Sequence, residues 1–316
     1  MTSDGDLTRE GGGEGDGHGH AISTDADRRY LFAALALLLA YMVGEVIVAL
    51  VSGSLALLSD AGHMLTDAAS IAVALWAMGL AARPAVGAWT YGLKRAEILS
   101  ALGNGVTMLV IAAVVAVEAI RRLVDSHPEV QGGPVLVVAL VGIVVNIAAT
   151  WLLAKANRSS LNVEGAYQHI LTDLYGFIGT AIAATIILTT GWMKADAIAS
   201  LIVVALMIHA GWGLLRESGR ILLEAAPIGT DLAGIRQHLL EVDHVVDVHD
   251  LHVWTVTSDL PSLSAHLVVE DSCFNDGHAP QILDQVQDCL GGHFDVEHST
   301  FQFEPNTHAA HEHAVH

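Results

Sequence analysis

The sequence predicts an α-helical membrane protein with six transmembrane helices, followed by a small cytoplasmic α+β domain of ferredoxin-like type. Three observations predict it. Between Tyr30 and Arg220, six apolar stretches are each long enough to cross a hydrocarbon core, which needs about 20 helical residues. After Pro227 the pattern changes to short alternating elements. The charge is also divided. Of the net −20, residues 230–316 carry fifteen acids against the single base Arg236, while residues 30–229 hold twelve acids and ten bases. A uniform soluble globule does not divide its charge in this way. With no basic stripe to displace counterions, nucleic acid is excluded as a partner.

Residues 1–29, with Gly11-Gly12-Gly13, seven acids, His18 and His20, read as a disordered acidic tail that cannot bury enough apolar surface to order itself. A positive n-region and a cleavage site are both missing, so they do not read as a signal peptide. The transmembrane domain covers 30–220, with spans at 30–51, 55–80, 93–121, 134–154, 164–190 and 195–218. The breaks fall at Ser52-Gly53-Ser54, from Arg83-Pro84 to Tyr91-Gly92, at His127-Pro128 with Gly132-Gly133-Pro134, from Asn157 to Asn162, and at Gly191. Each carries residues that end helices or favour turns. One set of loops collects Arg28, Arg29, Arg83, Lys94, Arg95, Lys155, Arg158, Arg216 and Arg220; the other collects only Arg121, Arg122 and Lys194. Nine against three places both termini in the cytoplasm, with the chain in the cell inner membrane and its apolar faces against the lipid bilayer.

Residues 221–229 form a linker, and 230–304 a domain read as a helix at 230–241, strands at 245–256 and 262–270, a helix at 278–291 and a strand at 294–304. Residues 305–316 form a tail with His308, His311, His313 and His316. Cys273 and Cys289 are sixteen apart, which gives neither a CxxC pair nor a disulfide framework. Two reduced structural thiols in the cytosol are expected.

Ionisable residues inside the spans ask for a reason, because each costs roughly 2.5 to 3.5 kcal/mol at a span's centre. Span two contains His63-Met64-Leu65-Thr66-Asp67 and span five His169-Ile170-Leu171-Thr172-Asp173, so both carry the unit H-x-x-x-D. Four residues apart on a helix is one face. Two imidazoles and two carboxylates from facing helices can close a tetrahedron around a divalent cation, whose charge offsets the two acids. That set suits Zn²⁺, with Cd²⁺ or Co²⁺ acceptable, and suits neither calcium nor magnesium.

These residues also carry a likeness. The run from Gly53 through Ser59-Asp60-Ala61-Gly62-His63 to Asp67, the segment Tyr91-Gly92-Leu93-Lys94-Arg95-Ala96-Glu97, and His249-Asp250-Leu251-His252-Val253-Trp254 resemble, in order, three motifs of the cation diffusion facilitator family of zinc transporters, bacterial type. The resemblance implies a homodimer of six-span protomers that exports divalent metal in exchange for protons, with a transport site of His63, Asp67, His169 and Asp173. A histidine as the first ligand of span two resembles the zinc-type members. The loop between spans two and three, Ala85 to Thr90, lacks the Asp and His ligands that some bacterial members carry, so no metal is expected there.

In the cytoplasmic domain, period-2 alternation puts His298 and Glu304 on one face of the last strand, with Phe301 and Phe303 on the core face. His266 can join them from the middle strand. A second metal site is expected from His249, His266, His298 and Glu304, with His278 as an additional candidate from the helix or across a dimer. His252, three residues from His249, is expected on the opposite face. Asp60 is a candidate to orient His63 or to serve a proton path, with a helix-entry or packing role as the alternative. Glu45 and Glu118 are expected as proton carriers or interhelical partners, Asn104 and Asn146 as interhelical hydrogen-bond donors, and His209 as a core or interface histidine.

The expected function is metal/proton antiport by alternating access, with zinc as substrate and also bound in the cytoplasmic domain. No enzymatic role is expected, since four protein ligands leave no position to activate water and H-E-x-x-H does not occur. The alternatives are an intramembrane metal-dependent hydrolase and a metal sensor without transport.

Overall fold

A computed structural model describes residues 24–52, 55–124, 132–258, 260–294, 296 and 298–309. Six long helices come first: α1 (Thr24–Ser52), α2 (Leu55–Ala81), α3 (Ala96–Val124), α4 (Gly132–Leu153), α5 (Leu161–Thr190) and α6 (Lys194–Leu222). All six are long and apolar enough to cross a membrane. Ser160 caps α5 by accepting the Val163 N–H, and Gly191, at φ 72°, closes its other end by donating to the Ile187 carbonyl. α1 begins at Thr24, six residues before the expected span. The cause is Asp27, which is buried and accepts the Asn157 N–H at 2.8 Å, tying the start of α1 to the α4–α5 connection.

One core is shared by α1, α2, α4 and α5, through Leu31, Leu38, Met64, Ile71, Ile170 and Val163 among others. Outward-facing Trp76, Val110, Val114, Val144 and Ile202 remain exposed, as lipid-facing side chains must. The second tight pairing is α3 with α6, through Ala112, Val204 and Met207. There the two backbones meet at Gly105 and Gly211, where a Cβ on either glycine would lie 3.1 Å from the other's carbonyl oxygen. Small residues allow such an approach. Gly211→Val is expected to cost about 1–3 kcal/mol by overpacking and to lower the thermal midpoint of the detergent-purified protein.

The pair Arg121-Arg122 runs against the charge asymmetry expected of the loops, and the structure shows what Arg122 does. Arg122 bonds Glu118 and Asp196, both at 3.0 Å, joining the far ends of α3 and α6. Glu118 is therefore a surface ion-pair partner.

The C-terminal part folds as α7 (Leu232–Leu240), β1 (Val245–Thr255), β2 (Pro261–Val269), α8 (Cys273–Asp276), α9 (Ala279–Phe294), β3 (His298–Pro305) and α10 (Asn306–Ala309). The sheet order is β1-β2-β3, with β1 antiparallel and β3 parallel to β2. Ile235 and Leu239 of α7 and Ile282, Val286 and Leu290 of α9 pack against Val248, Val253, Leu263, Ala265 and Leu267 on one sheet face. Phe301 and Phe303 join that core. The predicted fold class, six spanning helices and a small α+β domain, is the observed one; α8 and α10, one turn each, are additions.

Candidate metal centres

The first centre lies where α2 meets α5. A buried Asn162 at the start of α5 donates to the Ala74 carbonyl of α2 at 2.7 Å. Seven residues along each helix, roughly 10 Å at 1.5 Å per residue, stand His169 and Asp67. His169 Nε2 lies 2.7 Å from Asp67 Oδ1 and 3.8 Å from Asp173 Oδ2. Asp67 and His169 are buried, and Asp173 is half-buried. Ligands about 2.0–2.2 Å from zinc at tetrahedral angles stand roughly 3.3 to 3.6 Å apart, so the two separations bracket what one ion needs. Two acids against one imidazole in an apolar surround leave negative charge that a divalent cation would offset.

Asp67 and Asp173 open on a cavity of about 190 Å³, lined also by Asn146, Thr172, Thr180 and Ser200 among apolar side chains. His63 stands one turn before Asp67 on α2, and Asp60 lies further back on that helix; both side chains fall outside the described residues. Glu45 is buried on α1, two turns beyond the cavity-lining Leu38, and does not line the cavity itself. Asn146 does not bond between helices as expected. It donates to Gly142 of its own helix at 3.0 Å and turns toward the cavity. Asn162, missed in the sequence, is an interhelical donor; its signal was a polar residue in the first turn of a span.

The second centre is in the cytoplasmic domain. His249 pairs in register with His266, their rings 5.1 Å apart. Between them and β3 lies the fully buried carboxylate of Glu304, 2.8 Å from His266 Nδ1 and 3.3 Å from His249 Nε2, and Gln302 donates to it at 2.7 Å. Asp250 joins the two imidazoles as a third group within ligand-sharing distance, and sequence reasoning passed over it. Three of the four expected residues are thus together.

His298 is not with them. It shares the face of Glu304, but six residues of strand, at about 3.3 Å each, separate them by roughly 20 Å. His298 sits opposite Ser262, edge-on to Tyr91 at 5.9 Å. His278 is elsewhere as well, stacked on His244 at 5.1 Å. His252 departs from the expected opposite face. A β-bulge between His249 and His252, with Asp250 at φ 46°, inserts an extra residue. His252 therefore pairs with Ser264, two residues from His266 and on the same face, and it lines a cavity of about 840 Å³ with Trp89, Tyr91, Lys94, Arg95 and Trp254.

Comparison with known proteins follows the same division. The family model for the cation efflux transmembrane domain matches residues 31–223, more than half of the chain. The chain belongs to the cation diffusion facilitator family. The model for the cation efflux protein cytoplasmic domain matches residues 227–306 of this facilitator. It is 37% identical over 90% of both chains to the cadmium, cobalt and zinc/H(+)-K(+) antiporter of Bacillus velezensis. It is 39% identical to the zinc transporter ZitB of Escherichia coli, over 89% of this chain and 88% of that one. Among solved structures, the metal-bound C-terminal domain of the CzcD transporter from Cupriavidus metallidurans is 36% identical, covering 24% of this chain and 99% of that one at a TM-score of 0.22.

In this facilitator the two domains touch at several points, among them the carboxylate of Glu97. Glu97, at the start of α3, accepts the Ser160 hydroxyl on one oxygen and the Thr257 hydroxyl on the other at 3.3 Å, while Ser258 accepts the Leu161 N–H at 3.1 Å. A loop of the cytoplasmic domain thus holds the first turn of α5, the helix that carries His169 and Asp173. Gly92, three residues before the paired Arg95 and at φ 68°, allows the preceding turn, where a Cβ would meet the Arg83 carbonyl at 3.0 Å. Arg95 bonds Glu224, within the linker, at 3.1 Å.

Proposed function

We propose that this cation diffusion facilitator exports divalent metal ions, Zn²⁺ first, from the cytoplasm across the cell inner membrane in exchange for protons, as a homodimer with both termini in the cytoplasm. The observation that carries the reading is the set of buried Asp67 and His169 with half-buried Asp173 at the α2–α5 crossing, open on a cavity of mixed polar and apolar lining. His63, one turn from Asp67, completes four ligands.

The coupling follows from the ligands' chemistry. Imidazole nitrogen and carboxylate oxygen bind metal only when deprotonated, so zinc arriving from the cytoplasm displaces protons, and protons returning from the other side release it. Alternating access exposes the site to one side at a time. No bond is made or broken beyond coordination. The cytoplasmic set of His249, His266 and Glu304 holds zinc as a bound ion rather than as cargo, and the Glu97 contact with Thr257 is the route by which its occupancy reaches α5.

Similarity to an antiporter and a zinc transporter supports this reading, and neither a hydrolase nor a transport-free sensor has a supporting observation. In proteoliposomes, flux is expected to be greatest for Zn²⁺, lower for Cd²⁺ and Co²⁺, and near background for Mn²⁺, since two imidazoles favour the former ions. A protein that moved none of the four would sink the proposal.

A further inference from the structure

We propose that the cytoplasmic domain contains a second, sulfur-containing metal site, centred on Cys273 and taking one thiophilic divalent ion (Zn²⁺, Cd²⁺ or Co²⁺) per protomer. Cys273 is shared by two groups of side chains whose ligand atoms lie within 4.8 Å of one another: His244 with Glu270, and Asp276 with His278. The turn before β1 supplies His244, the end of β2 supplies Glu270, and α8 with the turn after it supplies the rest. Two backbone features aim these groups. His244 adopts φ 70°, and its carbonyl accepts the Glu270 N–H at 3.1 Å; Gly277, at φ 85°, turns the chain so that His278 comes back over α8.

The thiol forms the floor, 1% exposed, while the His and acid side chains around it remain open enough to admit an ion. The two groups are three-ligand sets that meet at the thiol; drawn onto one ion, they offer two imidazoles, one thiolate and one carboxylate, donors of the kind zinc takes. Thiolate selects Zn²⁺, Cd²⁺ and Co²⁺ over magnesium, calcium and manganese. The second carboxylate is left to orient an imidazole from outside.

Surface ion pairs alone do not account for the arrangement. His244 Nδ1 is 3.1 Å from Glu270 and His278 Nδ1 is 3.0 Å from Asp276. The two rings also stack face to face at 5.1 Å and 13°, a packing that two independent surface ion pairs do not require. Exposed pairs of this type contribute little to stability. A shared metal ion accounts for both rings lying together beside one thiol.

Neither of the other two centres contains sulfur, so the test can be read without separating the sites. Co²⁺ added to the full-length protein in detergent is expected to give a thiolate-to-cobalt charge-transfer band in the near ultraviolet. The band should persist in Cys289→Ser, whose thiol burial and the nearby Glu241 push toward the protonated form. It should vanish in Cys273→Ser. Because Cys273 also packs in the core, His244→Gln and His278→Gln, at partly open positions, provide the independent arm: each should weaken cobalt binding at the band at least tenfold and lower bound zinc by one ion per protomer. A wild type without the band, a band lost in Cys289→Ser instead, or histidine variants that bind cobalt as wild type would overturn the proposal.

Discussion

Zinc flux through Asp67→Asn is expected to fall by about 100-fold or more, with the protein still folded and inserted. Loss of an outer partner of a metal ligand already costs about 10- to 100-fold, and Asp67 stands 2.7 Å from the imidazole with which it would share the ion. Asparagine keeps the size of the side chain, so packing against the α2–α5 crossing is retained while the charge is lost. It also removes one of the two carboxylates that must release protons when zinc binds. Measured in proteoliposomes with a lumenal zinc dye, Asp67→Asn and Asp173→Ala should both fail, while variants of the cytoplasmic set should keep measurable flux. Flux in Asp67→Asn equal to wild type would remove this carboxylate from the site.

The second large effect is expected at Glu304. Its carboxylate is fully buried between His249 and His266 and is held by Gln302. In Glu304→Gln the two imidazoles keep their places, but the anionic ligand is gone. Zinc affinity of that site is expected to drop on the order of 100-fold, read as the loss of one tightly held ion per protomer by metal analysis after gel filtration. Since a buried carboxylate without a counter-cation is costly, the variant without metal should be at least as stable as the wild type without metal. Retention of that ion in Glu304→Gln would assign the site to other groups.

The transmembrane half was legible because its signals are local. Apolar stretches, loop cations and an H-x-x-x-D spacing each lie within one turn or one helix. What was hidden depends on partners far apart in the chain. Asn162 meets Ala74 across 88 residues, and Glu97 meets Thr257 across 160; no periodicity marks either. In the cytoplasmic domain, alternation together with the family resemblance grouped His249, His266 and Glu304, which the structure brings together, yet it misplaced two histidines. For His298 the face was right, but strand length put it near the other end of the sheet. For His252, simple alternation failed because a non-glycine residue, Asp250, takes a left-handed conformation and inserts a bulge. The cluster on Cys273 escaped for a third reason: its ligands come from a turn, a strand end and a one-turn helix, none of which has a repeating pattern.

The central claim is that zinc and protons exchange at the site shared by α2 and α5. It is tested most directly in proteoliposomes loaded with a zinc-sensitive dye, with zinc outside and an acidic lumen imposed at time zero. Wild type should accumulate zinc faster and to a higher level than without the pH difference, and should alkalinise the lumen as it does so, while Asp173→Ala should do neither. Zinc entry that ignored the imposed gradient, or proceeded equally in Asp173→Ala, would contradict the account.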